Sequence, residues 1–426
     1  MIRRHVRRGA LLALGAAISA CQPARTGPQV ALQPDSLAIR RDIFYLASDA
    51  LAGRLTGTPG NDSAAAYFAR RYAALGLRPM SDGYLQRFVA RPPSHAGPSP
   101  SLPTQNVFAV LPGRDPVLRG QYLVIGAHFD HLGTSTEGAL DPDVKGAVRR
   151  GADDNASGTA AVLELARLLA AAPTRRSIIF ANFSGEEEGL LGSAYFVEHS
   201  PVPIDSIDAM LNFDMVGRLR NNKLIVYGVA TATELPSLVD SANAPAGLRV
   251  TAQGDGFGAS DQSSFYAKNI PVLHFFTDLH DDYHRATDVP ERINAAGEAR
   301  VVAVAERVIR QIADRGPRLT FVRAVAAAPA GATREGSDVY LGSIPDMAGG
   351  DTPGLRLTGV RAGSPADVAG LKAGDVIVEF GGKPVKDLFE YSNALYAHRP
   401  GDAVTVVVVR SGQRLTLQVK LGKRGG

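Results

Sequence analysis

Strand-like apolar runs alternate with helical segments through the middle of the chain, and this alternation constrains the fold most strongly. The runs are QNVFAVLPG, QYLVIGAHFD, RSIIFANFS and IDAMLNFDMVG, and a helical stretch from Thr159 to Ala172 separates the second from the third. This order predicts an α/β domain with a mostly parallel sheet and helices on both faces. Ligands of such sheets bind beyond the carboxyl ends of the strands. The residues that follow each run are therefore the first candidates for a functional site.

The length of 426 residues and two changes in composition predict more than one domain. Helical patterns begin after Asp35, and the stretch AVAAAPAGATREGSD precedes a region of short strand-like runs and glycine-rich turns. The predicted organisation is a signal peptide over 1–20, a modified cysteine and tether over 21–35, an α/β domain over 36–315, a linker over 316–337 and a β-rich domain over 338–424.

The first 21 residues, MIRRHVRRGALLALGAAISAC, have the layout of a secretory signal: a basic start, a short apolar run and small residues. An N-terminal helix of the fold is the alternative. The stretch Ile18–Cys21 resembles the bacterial lipobox, which implies cleavage before Cys21 and a lipid anchor on it. Gln22 follows, rather than the aspartate associated with inner-membrane retention, so we expect an outer-membrane protein facing the periplasm. As the only cysteine, Cys21 excludes a disulfide framework and a metal site with cysteine ligands.

The charge balance gives no indication of nucleic-acid binding. Lysine and arginine total 46 and aspartate and glutamate total 42, so the formal net charge is +4. The signal segment contains four arginines and no acidic residue, which accounts for the whole excess. The mature chain is therefore near neutral, and we expect no nucleic-acid partner.

Two polar clusters precede or follow apolar elements in the first half of the α/β region. The run YLVIGA delivers His128, Asp130 and His131, and a carboxylate two residues from a histidine can orient its ring for zinc binding. The motif GADDNASG places Asp153 and Asp154 just before a helix, where capping is the alternative role. An aspartate held there could offer one oxygen to each of two ions.

Three further clusters follow along the chain. Glu186–Glu188 come directly after an apolar run, Asp214 sits within one, and the stretch DLHDDYHRATD contains His280 and His284. Each cluster alone agrees with a structural role. Together, five clusters of His, Asp and Glu near strand ends predict a two-metal hydrolase site. Nitrogen and oxygen ligands suit zinc, and manganese or cobalt could substitute.

The five clusters, preceded by YLASDALAGRLTGTPG, occur in the order found in zinc aminopeptidases of the bacterial leucyl aminopeptidase type. Residues 35–313 resemble this family of co-catalytic dizinc exopeptidases, whose fold is a twisted mixed sheet between helices. The resemblance implies a zinc aminopeptidase domain with two Zn²⁺ ions per chain and peptide substrates with a free N-terminus. The implied ligands are His128 and Asp214 for one ion, Glu187 and His284 for the other, and Asp154 for both.

The resemblance also implies roles for two other carboxylates. Glu186 aligns with the general base, which would take a proton from a water that bridges the metals, and Asp130 would orient His128. Glu188 falls on a variable position and would face solvent or act structurally. The alternative register, shifted by one residue, would make Glu187 the base and Glu188 the ligand.

Two residues depart from the family pattern at positions that bear on rate and specificity. Relatives often carry tyrosine where this chain has Phe257 and histidine where it has Gln262. A phenol at the first position could hydrogen-bond the reaction intermediate, and Phe257 cannot. Two alternative functions on the same fold are a catalytically weak peptide-binding or scaffold protein and a glutaminyl cyclase. Glutaminyl cyclases rely on pocket tryptophans, and this chain has no tryptophan.

The C-terminal region resembles a PDZ domain. The resemblance rests on LTGVRAGSPADVAGLKAGDVIVEFGGKPV, residues 357–385, and it implies that Tyr340–Ser343 form a carboxylate-binding loop. PDZ domains bind the C-terminus of a peptide as an added strand, so such a peptide is an expected partner. A stabilising β appendage that binds nothing is the alternative.

Overall fold

The structure is a computed structural model. It describes residues 1–2, 32–81, 83–91, 101–136, 139–141, 143–254, 256, 258, 260–323, 339–345, 354–360, 363–385, 391, 394–395 and 397–423. Cys21, nearly all of the predicted signal peptide and tether, most of the predicted linker, and Phe257 lie outside these residues. Among the described helices, none combines the length and the apolar character that crossing a membrane requires.

The helices and strands predicted in the middle of the chain are confirmed. The described helices are α1 (Ser36–Leu46), α2 (Pro59–Ala74), α3 (Gly158–Ala171), α4 (Leu191–Glu198), α5 (Leu235–Asn243), α6 (Gln262–Tyr266), α7 (Ala295–Asp314) and α8 (Pro365–Val368). The described strands before the linker are β1 (Arg78–Pro79), β2 (Leu85–Ala90), β3 (Leu102–Leu111), β4 (Tyr122–His128), β5 (Ser177–Phe183), β6 (Ile207–Phe213), β7 (Lys223–Tyr227), β8 (Arg249–Ala252) and β9 (Val272–Phe276).

These strands form one mixed sheet in the described part of the chain. Its order is β1-β3-β5-β4-β6-β9-β7-β8, and β2 also pairs with β3. The central strands β5, β4, β6 and β9 run parallel to their neighbours in that group, whereas β3 and β7 join it antiparallel. The α/β fold class with a mixed sheet is therefore confirmed, and its parallel part lies at the centre.

Apolar side chains cover both faces of the sheet. One cluster joins the sheet to α1, α2, α3, α5 and α7, and a second joins the opposite face to α4 and α6. Strand β4 shows the alternation that produces this, since Leu123 and Ile125 belong to the first cluster and Val124 to the second. A strand that is buried on both faces reads as a continuous apolar run, which is the pattern seen in the sequence.

The C-terminal region has a sheet and an apolar core of its own. Its described strands are β10 (Val339–Tyr340), β11 (Ser343–Pro345), β12 (Leu355–Val360), β13 (Val376–Phe380), β14 (Lys383–Pro384), β15 (Ala403–Arg410), β16 (Gln413–Lys420) and β17 (Gly422–Lys423). Strands β11, β12, β13, β15 and β16 are neighbours in that order. Gly342 lies between β10 and β11 with φ +84°, where a Cβ atom would lie 2.2 Å from the Cβ atom of Ser364. Only glycine fits this turn without strain.

Glu298 lies buried near the start of α7, and neither of its carboxylate oxygens has a hydrogen-bond partner among the described residues. Burial raises the pKa of Glu298 well above its usual value of 4.5, and Asp153 and Asp42 raise it further. The folded protein thus keeps this proton at pH values where the unfolded chain loses it, so the free energy of unfolding falls as the pH rises above 4.5. We expect Glu298→Gln to stabilise the protein by about 1–3 kcal/mol at neutral pH, and less as the pH falls.

The measurement is the thermal midpoint of the wild type and the variant from about pH 5 to pH 8, at equal metal content. Glu306→Gln is the control on the same helix. Glu306 is half-buried and lies 2.9 Å from Arg310, and losing such a pair costs at most about 1 kcal/mol. A Glu298→Gln variant that is less stable than the wild type at pH 8, or equally stabilised at every pH, would contradict this prediction.

Candidate metal centre

The candidate site lies at the carboxyl ends of the central strands β4, β5 and β6. His128 is the last residue of β4, Asp214 directly follows β6, and Glu186 comes three residues after β5. Asp154 lies in the turn that leads into α3, and His284 lies in the loop after β9. The structure therefore brings together residues that are spread over more than 150 positions of sequence.

The first group of side chains forms around His128. Its Nε2 atom lies 3.4 Å from Oδ1 of Asp154, 3.5 Å from Oδ1 of Asp214 and 4.0 Å from Oε2 of Glu186. Oδ1 of Asp214 is buried and has no hydrogen-bond partner in the described part of the chain. Burying a carboxylate oxygen without a hydrogen-bond donor raises the free energy of the folded protein, so we expect this atom to face a cation.

The second group forms around His284. Its Nε2 atom lies 3.1 Å from Oδ2 of Asp154 and 3.1 Å from Oε2 of Glu187. Asp154 thus presents one oxygen to His128 and the other to His284. Its carboxylate is shared by the two groups, which is the arrangement that a bridging ligand requires.

The spacing within both groups fits zinc ligands. Two ligand atoms that each lie 2.0–2.2 Å from one tetrahedral zinc ion are about 3.3 Å apart. The histidine–carboxylate distances of 3.1–3.5 Å agree with this value, and nitrogen and oxygen donors suit zinc. The residues present therefore fit two zinc ions.

Two more side chains, those of Glu186 and His131, lie close to these groups of ligand atoms. The ligand atoms of His128, Glu186 and Asp214 lie within 4.8 Å of one another, as do those of His131, Asp154 and Glu187. Glu186 stands further from His128 than the ligand spacing, at 4.0 Å. His131 Nδ1 lies only 2.7 Å from Oε1 of Glu187, which is a hydrogen-bond length. Glu186 is thus the more distant partner of His128 in the first group, and His131 is hydrogen-bonded to Glu187 in the second.

Glu186 and Glu187 are adjacent in sequence but have opposite pKa shifts. Burial raises the pKa of Glu186 well above its usual range, and the charges of Glu187 and Asp214 add to this rise against the opposing effect of His128. Burial also acts on Glu187, but the imidazoles of His284 and His131 lower its pKa to about 2. Neighbouring carboxylates with separated pKa values are typical of sites where the two have different roles.

Asp130 differs from the sequence prediction. Its carboxylate accepts hydrogen bonds from the backbone N–H groups of Glu186 and Glu187, at 3.1 and 3.2 Å. The ring of His128 has its Nδ1 atom 3.3 Å from the backbone oxygen of Asp130 and 3.8 Å from the carboxylate. The main chain of Asp130 therefore orients His128. Its side chain holds the glutamate loop instead, because buried backbone N–H groups of a turn need acceptors.

Asp288 supports the opposite loop in the same way. Its Oδ2 atom accepts hydrogen bonds from the backbone N–H groups of Asp153 and Asp154, at 2.9 and 3.1 Å. Its Oδ1 atom accepts from Nη2 of Arg218 at 3.3 Å. Each of the two loops that carry paired acidic residues is thus fixed by a buried carboxylate.

Arg54 ties the surrounding loops together. It is fully buried, and its guanidinium donates to the backbone oxygens of Leu46, Phe129, Arg150 and Gly151 at 2.6–2.9 Å. These oxygens belong to the end of α1, the loop after β4 and the turn before Asp154. Sequence reasoning assigned no role to Arg54, Asp288 or His131, although each lies within a quoted motif.

The remaining predicted positions lie beside the site. Glu188 is half-buried and belongs to neither group of ligand atoms, whereas Glu187 contacts His284. This geometry favours the register in which Glu186 and Glu187 are the functional pair. Gln262 is buried, and its Oε1 atom accepts a hydrogen bond from Nδ2 of Asn212 at 3.0 Å.

Two regions of the chain match known protein families. Residues 106–309 match the profile of peptidase family M28, and residues 336–421 match that of the PDZ domain. Aminopeptidase YwaD of Bacillus subtilis (strain 168) is 31% identical over 181 residues, which are 38% of each chain. The chain spans about two fifths of the length of the first curated relatives it matches.

Solved structures share the fold. A zinc aminopeptidase from Bacillus subtilis, BSAP, superposes with a TM-score of 0.56 at 17% identity, over 68% of this chain and 98% of that one. A glutaminyl cyclase from Bacteroides thetaiotaomicron superposes with a TM-score of 0.55 at 18% identity, over 66% of this chain and 99% of that one. At such identities the likeness shows a shared fold and nothing further.

Proposed function

We propose that this chain, in which residues 106–309 match the profile of peptidase family M28 and residues 336–421 match that of the PDZ domain, is a dizinc aminopeptidase that removes N-terminal residues from peptides. The observation that carries the proposal is the shared carboxylate of Asp154, with Oδ1 facing His128 and Oδ2 facing His284. A single-metal site or a purely structural cluster has no need of this symmetry.

Five residues hold the ions in this proposal. His128 and Asp214 bind the first, Glu187 and His284 bind the second, and Asp154 binds both. When bound, two zinc ions acidify a water molecule and polarise the carbonyl group of the scissile peptide bond. Three protein ligands per ion leave positions open for water and substrate, as in catalytic zinc sites.

Glu186 serves as the general base. Its carboxylate lies in the first group of side chains, 4.0 Å from Nε2 of His128, which is longer than the ligand spacing. It takes the proton of the attacking water and delivers it to the leaving amine. The carboxylate of Asp130 holds the backbone of Glu186 and Glu187 in place, so the base and the neighbouring ligand keep a fixed relative position.

The same charges explain a preference for free N-termini. The site brings together the carboxylates of Asp154, Glu186, Glu187 and Asp214, whose side chains are 5–12% exposed. A protonated α-amine of a peptide complements this negative charge, whereas a blocked N-terminus carries no charge. Cleavage should therefore be confined to the first residue of the substrate.

The proposal is tested on the protein that begins at Gln22. Bound zinc is counted by elemental analysis, and hydrolysis is measured with matched peptides that have free or acetylated N-termini. We expect two zinc ions per chain and cleavage of the free peptides only. Full zinc content without hydrolysis of any peptide would favour the scaffold alternative.

The glutaminyl cyclase fold match makes cyclisation the second candidate. The same assay includes peptides with N-terminal glutamine, and release of ammonia without loss of a residue would identify a cyclase.

Two further proposals concern the rest of the chain. The PDZ region binds the C-terminus of a peptide through Tyr340–Ser343, which include the turn at Gly342. Cys21 carries a lipid that anchors the protein to the bacterial outer membrane, facing the periplasm. Mass spectrometry of the mature N-terminus tests the second proposal, and binding of peptides with free or amidated C-termini tests the first.

A further inference from the structure

His131 lies three residues after His128 and is fully buried against the second group of ligand atoms. Its Nδ1 atom lies 2.7 Å from Oε1 of Glu187 and 3.8 Å from Oδ2 of Asp154. Its ring stands edge-on to the ring of His284, with centroids 5.7 Å apart. Neither the predicted ligand set nor the mechanism uses this residue.

We propose that His131 is a positioning residue that holds Glu187 as a one-oxygen ligand of the second metal ion. The proposal rests on the two-zinc site proposed above. Nδ1–H of His131 donates to Oε1 of Glu187, and Oε2 then faces His284 Nε2 at 3.1 Å. The two oxygens of Glu187 are thus divided between a hydrogen bond and the metal.

The length of the contact supports a hydrogen bond over direct metal binding by His131. Ligand atoms of one zinc ion are about 3.3 Å apart, and the histidine–carboxylate distances assigned to ligands are 3.1–3.5 Å. The His131–Glu187 distance of 2.7 Å is shorter and is typical of a charge-assisted hydrogen bond.

The surroundings of the other ring nitrogen fix the direction of this bond. Nε2 of His131 is buried, and no partner for it exists among the described residues. A proton on Nε2 would leave a buried N–H group unpaired. The neutral ring with its proton on Nδ1 avoids this cost and makes His131 the donor to Glu187.

The backbone leaves space for the ring at this place. Gly151 has φ +57°, and a Cβ atom on it would lie 2.5 Å from Cγ and from Cδ2 of His131. A larger residue at 151 would clash both with the carbonyl oxygen of Asp154, at 2.0 Å, and with the imidazole. The carbonyl oxygen of Gly151 accepts a hydrogen bond from the buried Arg54 at 2.9 Å, which holds the turn against the ring.

This arrangement has a consequence for metal choice. A glutamate with one oxygen engaged offers a single donor, which suits four-coordinate zinc. Without His131, both oxygens of Glu187 can turn toward the ion and raise its coordination number, which suits Mn²⁺ better. Loss of such an outer hydrogen-bond partner typically weakens metal binding by about 10–100-fold.

The test measures zinc and manganese binding to the whole protein by chelator competition. His131→Leu removes the donor, and His131→Asn keeps an N–H donor near the position of Nδ1. We expect His131→Leu to weaken the binding of one of the two zinc ions by about 10–100-fold. The preference for zinc over manganese at that metal site should also fall. His131→Asn should bind both ions close to the wild-type level. In cobalt-substituted protein, the visible spectrum of one ion only should change in His131→Leu.

The outcomes separate this inference from the proposed function. A wild type that binds fewer than two zinc ions contradicts the two-zinc site itself. Tight binding of two zinc ions by His131→Leu would overturn the proposed role of His131. Zinc binding by His131→Asn that is as weak as in His131→Leu would also overturn it. If His131→Leu does not fold, His131→Gln takes its place, because Gln keeps polarity but carries its N–H near the position of Nε2. This variant is expected to bind the second zinc ion more weakly than the wild type does. Zinc binding at the wild-type level would overturn the inference.

Discussion

Glu186→Gln is expected to reduce kcat by about 10²–10⁴-fold, the usual contribution of a general base, while two zinc ions remain bound. Glutamine has the shape of glutamate but cannot accept the proton of the attacking water. Glu186 lies outside the ligand spacing, at 4.0 Å from Nε2 of His128, so its replacement removes no metal ligand. KM should change much less than kcat, because the base acts in the chemical step. Steady-state kinetics on a free-amine peptide and zinc analysis of the same sample provide the measurement.

Glu188→Gln is the matched control for this prediction. It makes the same chemical change two residues away, in the same loop, at a side chain that belongs to neither group of ligand atoms. We expect its kcat and zinc content to equal those of the wild type. Full activity in Glu186→Gln would refute its role as base. Loss of zinc from Glu188→Gln would support the shifted register, in which Glu187 is the base and Glu188 the ligand.

The sequence predicts the centre of the fold well because burial on both faces leaves a clear pattern. The runs that form β3, β4, β5 and β6 are rich in apolar residues, and most residues of each strand are buried. Short outer strands carry less information. Strand β1 has two residues and β8 has four, and neither is buried, so their pairing depends on neighbours rather than on their own composition.

The residues proposed as metal ligands are easier to predict than those that support them. Asp214 stands out because a carboxylate within an apolar run needs a cation or a donor. Asp288 does not stand out, since its partners Asp153 and Asp154 are 135 and 134 positions away in sequence. Arg54 likewise reaches Gly151 across 97 positions. Such contacts follow from the packing of loops, for which the local pattern holds no signal.

Asp130 shows how a motif can identify a residue and mistake its contact. The spacing His-x-Asp suggests that the carboxylate orients His128. In the structure the backbone oxygen of Asp130 takes that place, at 3.3 Å from the ring. The carboxylate is engaged by the N–H groups of Glu186 and Glu187, which another strand brings alongside. The competing donors come from β5, so inspection of β4 alone cannot reveal them.

Asp154→Asn is expected to weaken the binding of both zinc ions. A change at any other proposed ligand should weaken the binding of one ion only. Its two oxygens lie 3.4 Å from Nε2 of His128 and 3.1 Å from Nε2 of His284. Asparagine keeps one oxygen and places an NH₂ group, which is not a ligand, where the other stood. The negative charge that separates two dications is lost as well. Binding should fall by more than the about 10–100-fold that loss of an outer partner costs, and hydrolysis should fall with it.

Asp214→Asn provides the comparison, because Asp214 belongs to the first group of ligand atoms, 3.5 Å from Nε2 of His128. We expect this variant to retain one tight zinc ion and Asp154→Asn to retain none after dialysis against a weak chelator. Elemental analysis and chelator competition on both variants distinguish the two patterns, and thermal midpoints of the metal-free proteins check that each still folds. If Asp154→Asn binds one zinc ion tightly and only the other more weakly, the carboxylate contacts a single metal ion. The two-ion reading of the site would then have to rest on a different bridging group.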